Sequence, residues 1–229
     1  MIKYIKKIIP EKLKKYIKYH FPENIFLKNS KGVIHIGASF GQERDLYNYF
    51  NQNVIWIEPI FDVFCELKKN ISTYKKQFCF NYLITDKNDQ DYKFKVTNNS
   101  LSSSIFDLSE HKKVWPEVKY THFINLKSIN LKTFFLKENI DLKNYNSLII
   151  DTQGSELLVL KGLGEFINFF KYAKVEACSF QSYEGGCTDV EIVSYMEDYN
   201  FFEKKRFTSS TKIEKKNYLS HDILFEKIN

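Results

Sequence analysis

Several short apolar stretches of the sequence end in a glycine or an acid and are followed by a helical pattern, and this repeat constrains the fold more than any other feature. The first, Val33–Ile36, is too short for a helix, and three of its four residues are β-branched, which indicates a strand buried on both faces. Strands that alternate with single helices predict an α/β fold with a doubly wound, mostly parallel sheet. The predicted strands are Gly32–Ile36, Val54–Glu58, Phe78–Ile84, Leu148–Asp151 and Val175–Cys178, followed by an antiparallel C-terminal hairpin over Phe202–Phe207 and Asn217–Phe225.

The turn after the first strand has the composition of a ligand site. Gly37 and Gly41 stand four residues apart, and glycine lets a ligand approach the backbone where free N–H groups point outward. Ser39 and Gln42 have the spacing of a capping box, which predicts a helix over 42–51, and Thr188 and Glu191 have the same spacing before a later helix.

The second strand ends in Glu58, twenty-one positions after Gly37, and an acid at this spacing reaches the hydroxyls of a ribose. The third glycine of the dinucleotide fingerprint is absent, and the bulk of Phe40 and Gln42 occupies the place of a pyrophosphate. The pattern therefore favours a nucleoside without phosphates. Because ligands bind at the carboxyl ends of parallel strands, we expect Gly37, Glu58 and Asp86 to converge on one edge of the sheet.

Four blocks of sequence, in this order, carry a resemblance to a known family. The chain resembles the FkbM family of S-adenosylmethionine-dependent O-methyltransferases from about residue 32 to residue 202. Many members have Asp at the position of His35, although a branch with His is familiar. The blocks are His35-Ile36-Gly37-Ala38-Ser39-Phe40-Gly41-Gln42-Glu43, Trp56-Ile57-Glu58-Pro59, Asn98-Asn99-x-x-Ser102-Ser103-Ser104 and Asp151-Thr152-Gln153-Gly154-Ser155-Glu156-x-x-Val159-Leu160-Lys161-Gly162.

The resemblance implies a class I methyltransferase fold, S-adenosylmethionine as the cofactor, and a hydroxyl of a sugar or of a capsule or lipopolysaccharide precursor as the methyl acceptor. We expect no metal site, because no His or third Cys stands at ligand spacing from Cys178 and Cys187. Together with the spacing arguments the resemblance gives the predicted cofactor-binding residues, which are His35, Gly37, Ala38, Gly41, Glu43, Glu58, Pro59, Thr85, Asp86, Ser103, Asp151 and Gln153.

Methyl transfer to a hydroxyl is an in-line displacement, so the protein has to align the reactants and accept a proton. Asp151 ends a strand at the predicted cofactor edge, although an acid there is also a common cap for the following helix. His111 lies five residues before Pro116, an arrangement that recurs in FkbM relatives, and an imidazole suits general-base catalysis. Glu176, in an otherwise apolar strand, is costly to bury unpaired, so we expect it to face the ligand edge or to pair with a lysine. His122 alternates within a predicted strand, so we expect it to be a packed or solvent-facing residue without a catalytic role.

Between the third and fourth strands of the predicted sheet, residues 91–128 change pattern. Tyr92–Val96 and Lys119–Leu126 alternate like partly exposed strands, and a short helical stretch over Asp107–Lys113 lies between them. We interpret this segment as an insertion that covers the site. The predicted domains are residues 1–30, a basic N-terminal helix with a linker, and residues 31–229, the methyltransferase domain.

The formal net charge of +6 is concentrated in residues 1–20, which hold seven lysines and Glu11, so the rest of the chain is balanced and nothing favours a nucleic-acid partner. Ile and Leu recur there every three or four residues, which predicts an amphipathic basic helix. Two interpretations stay open for it: contact with an anionic membrane surface, or packing on the body or on a second subunit of a homodimer. The four cysteines form no disulfide pattern, so we expect a cytoplasmic protein, at the inner face of the membrane if the helix binds lipid.

Two other functions compete with the methyltransferase. One is a non-catalytic α/β binding module that its basic helix docks at a membrane or a biosynthetic complex. The other is an NAD-linked oxidoreductase, against which the missing third glycine and the lack of a Tyr-x-x-x-Lys pair both argue.

Overall fold

The computed structural model describes residues 19–228, and a seven-stranded sheet runs through its centre. The strands of this sheet are β1 (Gly32–Ile36), β2 (Asn53–Ile57), β3 (Gln77–Phe80), β8 (Ser147–Ile150), β9 (Tyr172–Cys178), β11 (Phe201–Ile213) and β12 (Lys216–Lys227). Five of them are parallel in the order β9-β8-β1-β2-β3, and β12 and β11 extend the sheet antiparallel beyond β9. The doubly wound fold and its antiparallel C-terminal hairpin are confirmed.

Each face of the sheet packs against its own set of helices. The α-helices are α1 (Arg44–Tyr49), α2 (Phe61–Ile71), α3 (His111–Val114), α4 (Leu131–Lys137), α5 (Glu156–Leu163) and α6 (Asp189–Asp198), and 3₁₀ turns cover Pro22–Asn29, Ser100–Ser102, Leu142–Asn144 and Gly164–Phe169. On one face of the sheet Ile34, Ile55 and Ile150 share a hydrophobic cluster with α4, α5 and α6; on the other, Val33 and Trp56 share one with α1 and α2. This division follows from the alternation of side chains along a strand, which sends successive apolar residues to opposite faces.

The segment between β3 and β8 forms a separate small sheet, in agreement with the predicted insertion. Strands β5 (Asp91–Thr97) and β7 (Tyr120–Ile129) pair antiparallel, and β4 (Leu83–Ile84) pairs parallel with β7. The single strand predicted over 78–84 is wrong, because the chain leaves the main sheet after Phe80. The stretch predicted as helical begins instead with β6 (Asp107–Leu108), which pairs with β10 (Tyr183–Glu184).

The two predicted capping boxes have different outcomes. Thr188 and Glu191 form one at the start of α6, where Oε2 of Glu191 accepts from the Thr188 N–H at 2.8 Å. The box predicted for Ser39 and Gln42 is wrong: Ser39 has φ +46°, its N–H donates to the Glu58 carboxylate, and α1 begins only at Arg44, after two turns of irregular backbone.

The predicted N-terminal helix lies outside the described residues, apart from its last two. The Tyr19 ring is buried 5.1 Å from the ring of Tyr49, and the His20 ring lies 5.6 Å from the same tyrosine. In the part of the chain that the structure describes, every helix is too short or too polar to cross a membrane.

Candidate active site

The turn between β1 and α1 is held against the ends of two neighbouring strands. The N–H groups of Gly37 and Ala38 both donate to the Ile57 carbonyl, at 3.0 and 3.1 Å. Gly37 has φ +81°, and a Cβ built on it would lie 1.7 Å from the Asp151 carbonyl oxygen. Only glycine fits here, because the position combines a left-handed backbone with contact to another strand.

Glu58 forms the wall of a cavity at the end of β2, which we call the Glu58 cavity. Its carboxylate oxygens accept from the N–H groups of Ser39 and Ile60, each at 2.9 Å. Burial raises the pKa of Glu58 to about 7, against the opposing effect of these two N–H groups. The cavity is lined by apolar side chains (Ile36, Ile57, Ile60, Leu83, Ile84, Phe94) and by polar ones (Ser39, Ser100, Ser103, Asp151, Thr152, Gln153, Ser155), with Pro59 beside Glu58.

A second group of residues joins the ends of β8 and β9. The side-chain amide of Gln153 donates one hydrogen bond to Asp151 Oδ1 at 2.6 Å and another to Glu176 Oε2 at 2.8 Å. The Tyr183 hydroxyl donates to Gln153 Oε1 at 2.6 Å and so fixes the amide orientation. The charge of Asp151, followed by burial, raises the pKa of Glu176 well above its usual value.

On the far side of this pair lies the His111 cavity, which reaches to α3. His111 is only 3% exposed, and none of the residues that the structure describes offers its Nδ1 a hydrogen bond. Its ring centre lies 4.6 Å from that of Trp115 and 5.3 Å from that of Tyr183. Burial lowers the pKa of His111 to about 4, so the imidazole is neutral at physiological pH.

The third opening, which we call the Lys174 cavity, lies beneath the β1 turn. His35 and Glu43 line it together with Lys174, whose Nζ is 3.4 Å from Asp222 Oδ2. The His35 ring stacks on Trp56 at 5.0 Å, and Nδ1 is 3.1 Å from the Tyr47 hydroxyl. Burial lowers the pKa of His35 to about 3, with Lys174 as a smaller cause, so the ring offers hydrogen bonds but no charge.

Asp151 lines all three cavities, and of the predicted catalytic residues Glu176 lines the second and third. The Asp151 carboxylate therefore lies where ligands bound in the three cavities would meet one another.

Comparison with known proteins gives a family. The model of the methyltransferase FkbM domain matches residues 35–202, which is most of the chain. The chain belongs to the FkbM methyltransferase family. None of the curated proteins matches this FkbM methyltransferase.

Solved structures resemble the FkbM chain at low identity. Magnesium protoporphyrin IX methyltransferase from Synechocystis PCC 6803, with bound S-adenosylmethionine, has 9% identity and a TM-score of 0.48 over 86% of this chain and 69% of that one. TrmK of M. capricolum, in complex with S-adenosyl-homocysteine, has 12% identity and a TM-score of 0.46 over 90% and 68%. An uncharacterized protein from Listeria monocytogenes has 10% identity and a TM-score of 0.47 over 96% and 69%.

The cofactor of this FkbM methyltransferase is S-adenosylmethionine, and the residues of the Glu58 cavity fit it. Ser39 Oγ is buried at the border of the Glu58 and Lys174 cavities and has no hydrogen-bond partner in the described part of the chain, as expected for an atom that a ligand completes. Glu58 would hold the ribose and the apolar residues around Ile57 the adenine, while His35, Ala38 and Glu43 face the cavity next to Gly37.

Three residues predicted to bind the cofactor lie elsewhere in the FkbM domain. Gly41 packs on α2, since a Cβ there would be 2.7 Å from Leu67 Cδ1. The Thr85 side chain accepts from the Lys87 N–H at 3.2 Å, and Asp86 lines a separate groove beside α5. The expected convergence of Asp86 with Gly37 and Glu58 is therefore wrong, because β4 belongs to the small sheet and carries the chain away from the parallel strands.

Three residues of the His111 cavity were not predicted as site residues from the sequence: Glu156, Trp115 and Tyr183. The Glu156 carboxylate accepts from the N–H groups of Thr152 (2.9 Å) and Gly154 (3.0 Å), so it shapes the turn that carries Gln153. The signal that could have identified Glu156 is its place in the fourth sequence block that resembles the family. Tyr183 had none, because its contact with Gln153 spans thirty residues. Among residues 19–228, no group of three or more His, Cys, Asp or Glu side chains could hold a metal ion.

Proposed function

We propose that the chain transfers a methyl group from S-adenosylmethionine to a hydroxyl of a sugar or of a surface-glycan precursor. The observation that carries this proposal is the position of Asp151, which lines both the cavity that fits the cofactor and the cavity that contains His111. Aromatic rings and hydrogen-bonding groups around the His111 cavity suit a polyhydroxylated ring, whose C–H faces pack on aromatics while its hydroxyls need polar partners.

Bound S-adenosylmethionine would supply the methyl group: the acceptor oxygen would bond to the methyl carbon while the bond from that carbon to sulfur breaks and S-adenosylhomocysteine leaves. The work of the protein is then alignment of the hydroxyl and acceptance of its proton. We assign the proton to the carboxylate of Asp151, which Gln153 fixes in position. His111 Nδ1 is a second atom that can form a hydrogen bond with the hydroxyl of the methyl acceptor. The sequence predicts His111 as the general base, and comparison of His111→Ala with Asp151→Asn decides between the two residues.

The proposal is tested by incubating the protein with S-adenosylmethionine labelled in its methyl group and with simple hexopyranosides. We expect label in the sugar as a base-stable methyl ether, with one S-adenosylhomocysteine released for each ether formed. Release of S-adenosylhomocysteine without a labelled sugar would contradict the sugar assignment, and binding of the cofactor without any turnover in the presence of acceptor would favour a non-catalytic binding module.

Glu58 gives a test of where the cofactor lies. Removing its hydrogen bonds in Glu58→Ala should weaken S-adenosylmethionine binding by roughly 1.5 to 3 kcal/mol. Since hydroxyls bond more strongly to the ionised carboxylate and the pKa of Glu58 is raised to about 7, affinity should rise with pH through that value, by up to about tenfold between about pH 6 and about pH 8. The same raised pKa makes the unliganded fold lose stability as pH rises from about 4.5 to about 7, because the carboxyl of the unfolded chain ionises at the lower value.

The matched control is Glu58→Gln, which keeps the shape and should bind the cofactor with little dependence on pH. Calorimetric titrations of the wild type and both variants measure the effect. Wild-type affinity in Glu58→Ala, or an unchanged pH dependence in Glu58→Gln, would remove Glu58 from the ribose.

We also propose that the protein is cytoplasmic and contacts the inner face of an anionic membrane through residues 1–20, which hold seven lysines and one glutamate. Deleting residues 1–18 should abolish binding to anionic vesicles, and that binding should itself weaken with added salt, while the melting temperature changes little. Neutral vesicles are the control. A large loss of melting temperature or a change of oligomeric state would instead show that the segment packs on protein.

A further inference from the structure

The His111 cavity has an unusual distribution of charge. Asp151, Glu156 and Glu176 all line it, and among residues 19–228 no lysine or arginine does. Lys174, which lines the neighbouring Lys174 cavity, is paired with Asp222. A group that enters from solvent therefore meets carboxyls and no compensating cation.

These carboxyls are held in place. Gln153 bonds Asp151 and Glu176 together, and the Glu156 carboxylate is anchored by backbone N–H groups of its own turn. Burial, with the charge of Asp151 as a smaller cause, raises the pKa of Glu156, and the charge of Asp151, followed by burial, raises the pKa of Glu176. Both shifts mean that the cavity opposes further negative charge, and an anionic ligand would meet the same opposition.

An independent observation shows that the cavity is built for a ligand. His111 is 3% exposed, yet its Nδ1 lacks a hydrogen-bond partner among residues 19–228, and a buried polar atom left alone costs free energy unless a ligand completes it. A neutral imidazole nitrogen can bond to a hydroxyl or an amine, whichever tautomer is present, because both groups donate and accept. A carboxylate or fully ionised phosphate can only accept, and it would also approach the Asp151–Glu176 pair.

We propose that the sugar ring that enters the His111 cavity carries no negative charge, so that neutral and amine-bearing rings are taken and uronic acids or phosphorylated rings are refused. This inference rests on the proposed function for the identity of the acceptor as a sugar, whereas the selection by charge stands on the cavity alone. A phosphate elsewhere in a longer acceptor is compatible with it, provided that it stays outside the cavity.

The first test compares three hexopyranosides that differ at one substituent: a neutral ring, its 2-amino-2-deoxy analogue and its uronic acid. Turnover, measured as kcat/KM, should be at least about tenfold lower for the uronic acid than for the neutral ring, and the amine should equal or exceed the neutral ring. Equal or faster turnover of the uronic acid would overturn the inference.

The second test needs no turnover and uses a thiol already in the cavity. Cys178 lines the His111 cavity, whereas Cys65 on α2 does not. Methanethiosulfonate reagents of opposite charge and similar size are reacted with the protein, and peptide mass spectrometry gives the rate at each thiol. Burial raises the pKa of Cys178 and so slows its reaction with both reagents equally. The ratio of the rate with the cationic reagent to the rate with the anionic reagent is therefore independent of this effect. We expect the ratio to exceed about tenfold at Cys178.

The Asp151→Asn/Glu176→Gln double variant is the control for the field. The double variant should lower the ratio about threefold or more at Cys178 and leave it unchanged at Cys65. A cooperative urea unfolding transition like that of the wild type shows that the variant folds. An anionic reagent that reacts at Cys178 as fast as the cationic one would overturn the inference. A cationic preference with no methylated hexopyranoside would leave the charge selection standing and refute the sugar.

Discussion

Replacing Gly37 with alanine is expected to cost more than about 3 kcal/mol of folding stability, the range of severe backbone and steric defects. The added Cβ would lie 1.7 Å from the Asp151 carbonyl oxygen, and φ of +81° is strained for any L-residue with a side chain. The turn cannot move away, because Gly37 and Ala38 both donate to the Ile57 carbonyl. Urea denaturation measures the loss.

Gly164→Ala separates backbone strain from collision. Gly164 also has a positive φ, +51°, but a Cβ there would meet nothing within 4 Å, so we expect a cost of about 1 to 3 kcal/mol from the backbone alone. Equal losses in the two variants would show that the β1 turn relaxes away from β8 and that the contact with Asp151 does not define the site.

The largest expected effect on catalysis is that of Asp151→Asn, which should lower kcat by about 10² to 10⁴, the usual worth of a positioned proton acceptor. Asparagine keeps the shape and cannot take the proton. Because Asp151 also lines the Glu58 cavity, the variant should change cofactor affinity as well. Raising the pH should restore part of the rate, since an acceptor hydroxyl that ionises more readily needs less help.

His111→Ala distinguishes positioning from proton transfer. The imidazole borders the acceptor cavity alone, so the variant should leave the cofactor dissociation constant unchanged and act on the acceptor, raising its KM with a smaller loss of kcat than Asp151→Asn. His122→Ala, on the exposed β7 strand, is the control and should behave as wild type. If His111→Ala instead loses about 10² or more in kcat with partial rescue at high pH, while Asp151→Asn turns over normally, the histidine is the base.

The sequence predicts what depends on neighbouring residues. The Val33–Ile36 run is a buried strand because its own composition allows little else, and Thr188 finds Glu191 because three residues separate them on one helix turn. Asp151, Glu58 and Gly37 were assigned to one edge because parallel strands end together, and they do.

The errors have tertiary causes. Ser39 has the spacing of a cap, but its N–H is captured by Glu58 from the next strand, a hydrogen bond that stabilises the turn in a left-handed conformation. Asp86 follows an apolar run, yet that run divides between two sheets. The Tyr183–Gln153 hydrogen bond depends on β10 pairing with a strand of the insertion, a contact with no local pattern.

The most direct measurement of the central claim is a calorimetric titration of the wild-type protein with S-adenosylmethionine and, separately, with NAD. The Glu58 cavity offers a ribose-binding carboxylate and an unpartnered Ser39 hydroxyl but no glycine-lined path for a pyrophosphate. We predict saturable binding of S-adenosylmethionine at one site per chain and no heat of binding with NAD. Absence of S-adenosylmethionine binding, or saturable binding of NAD in its place, would contradict the account.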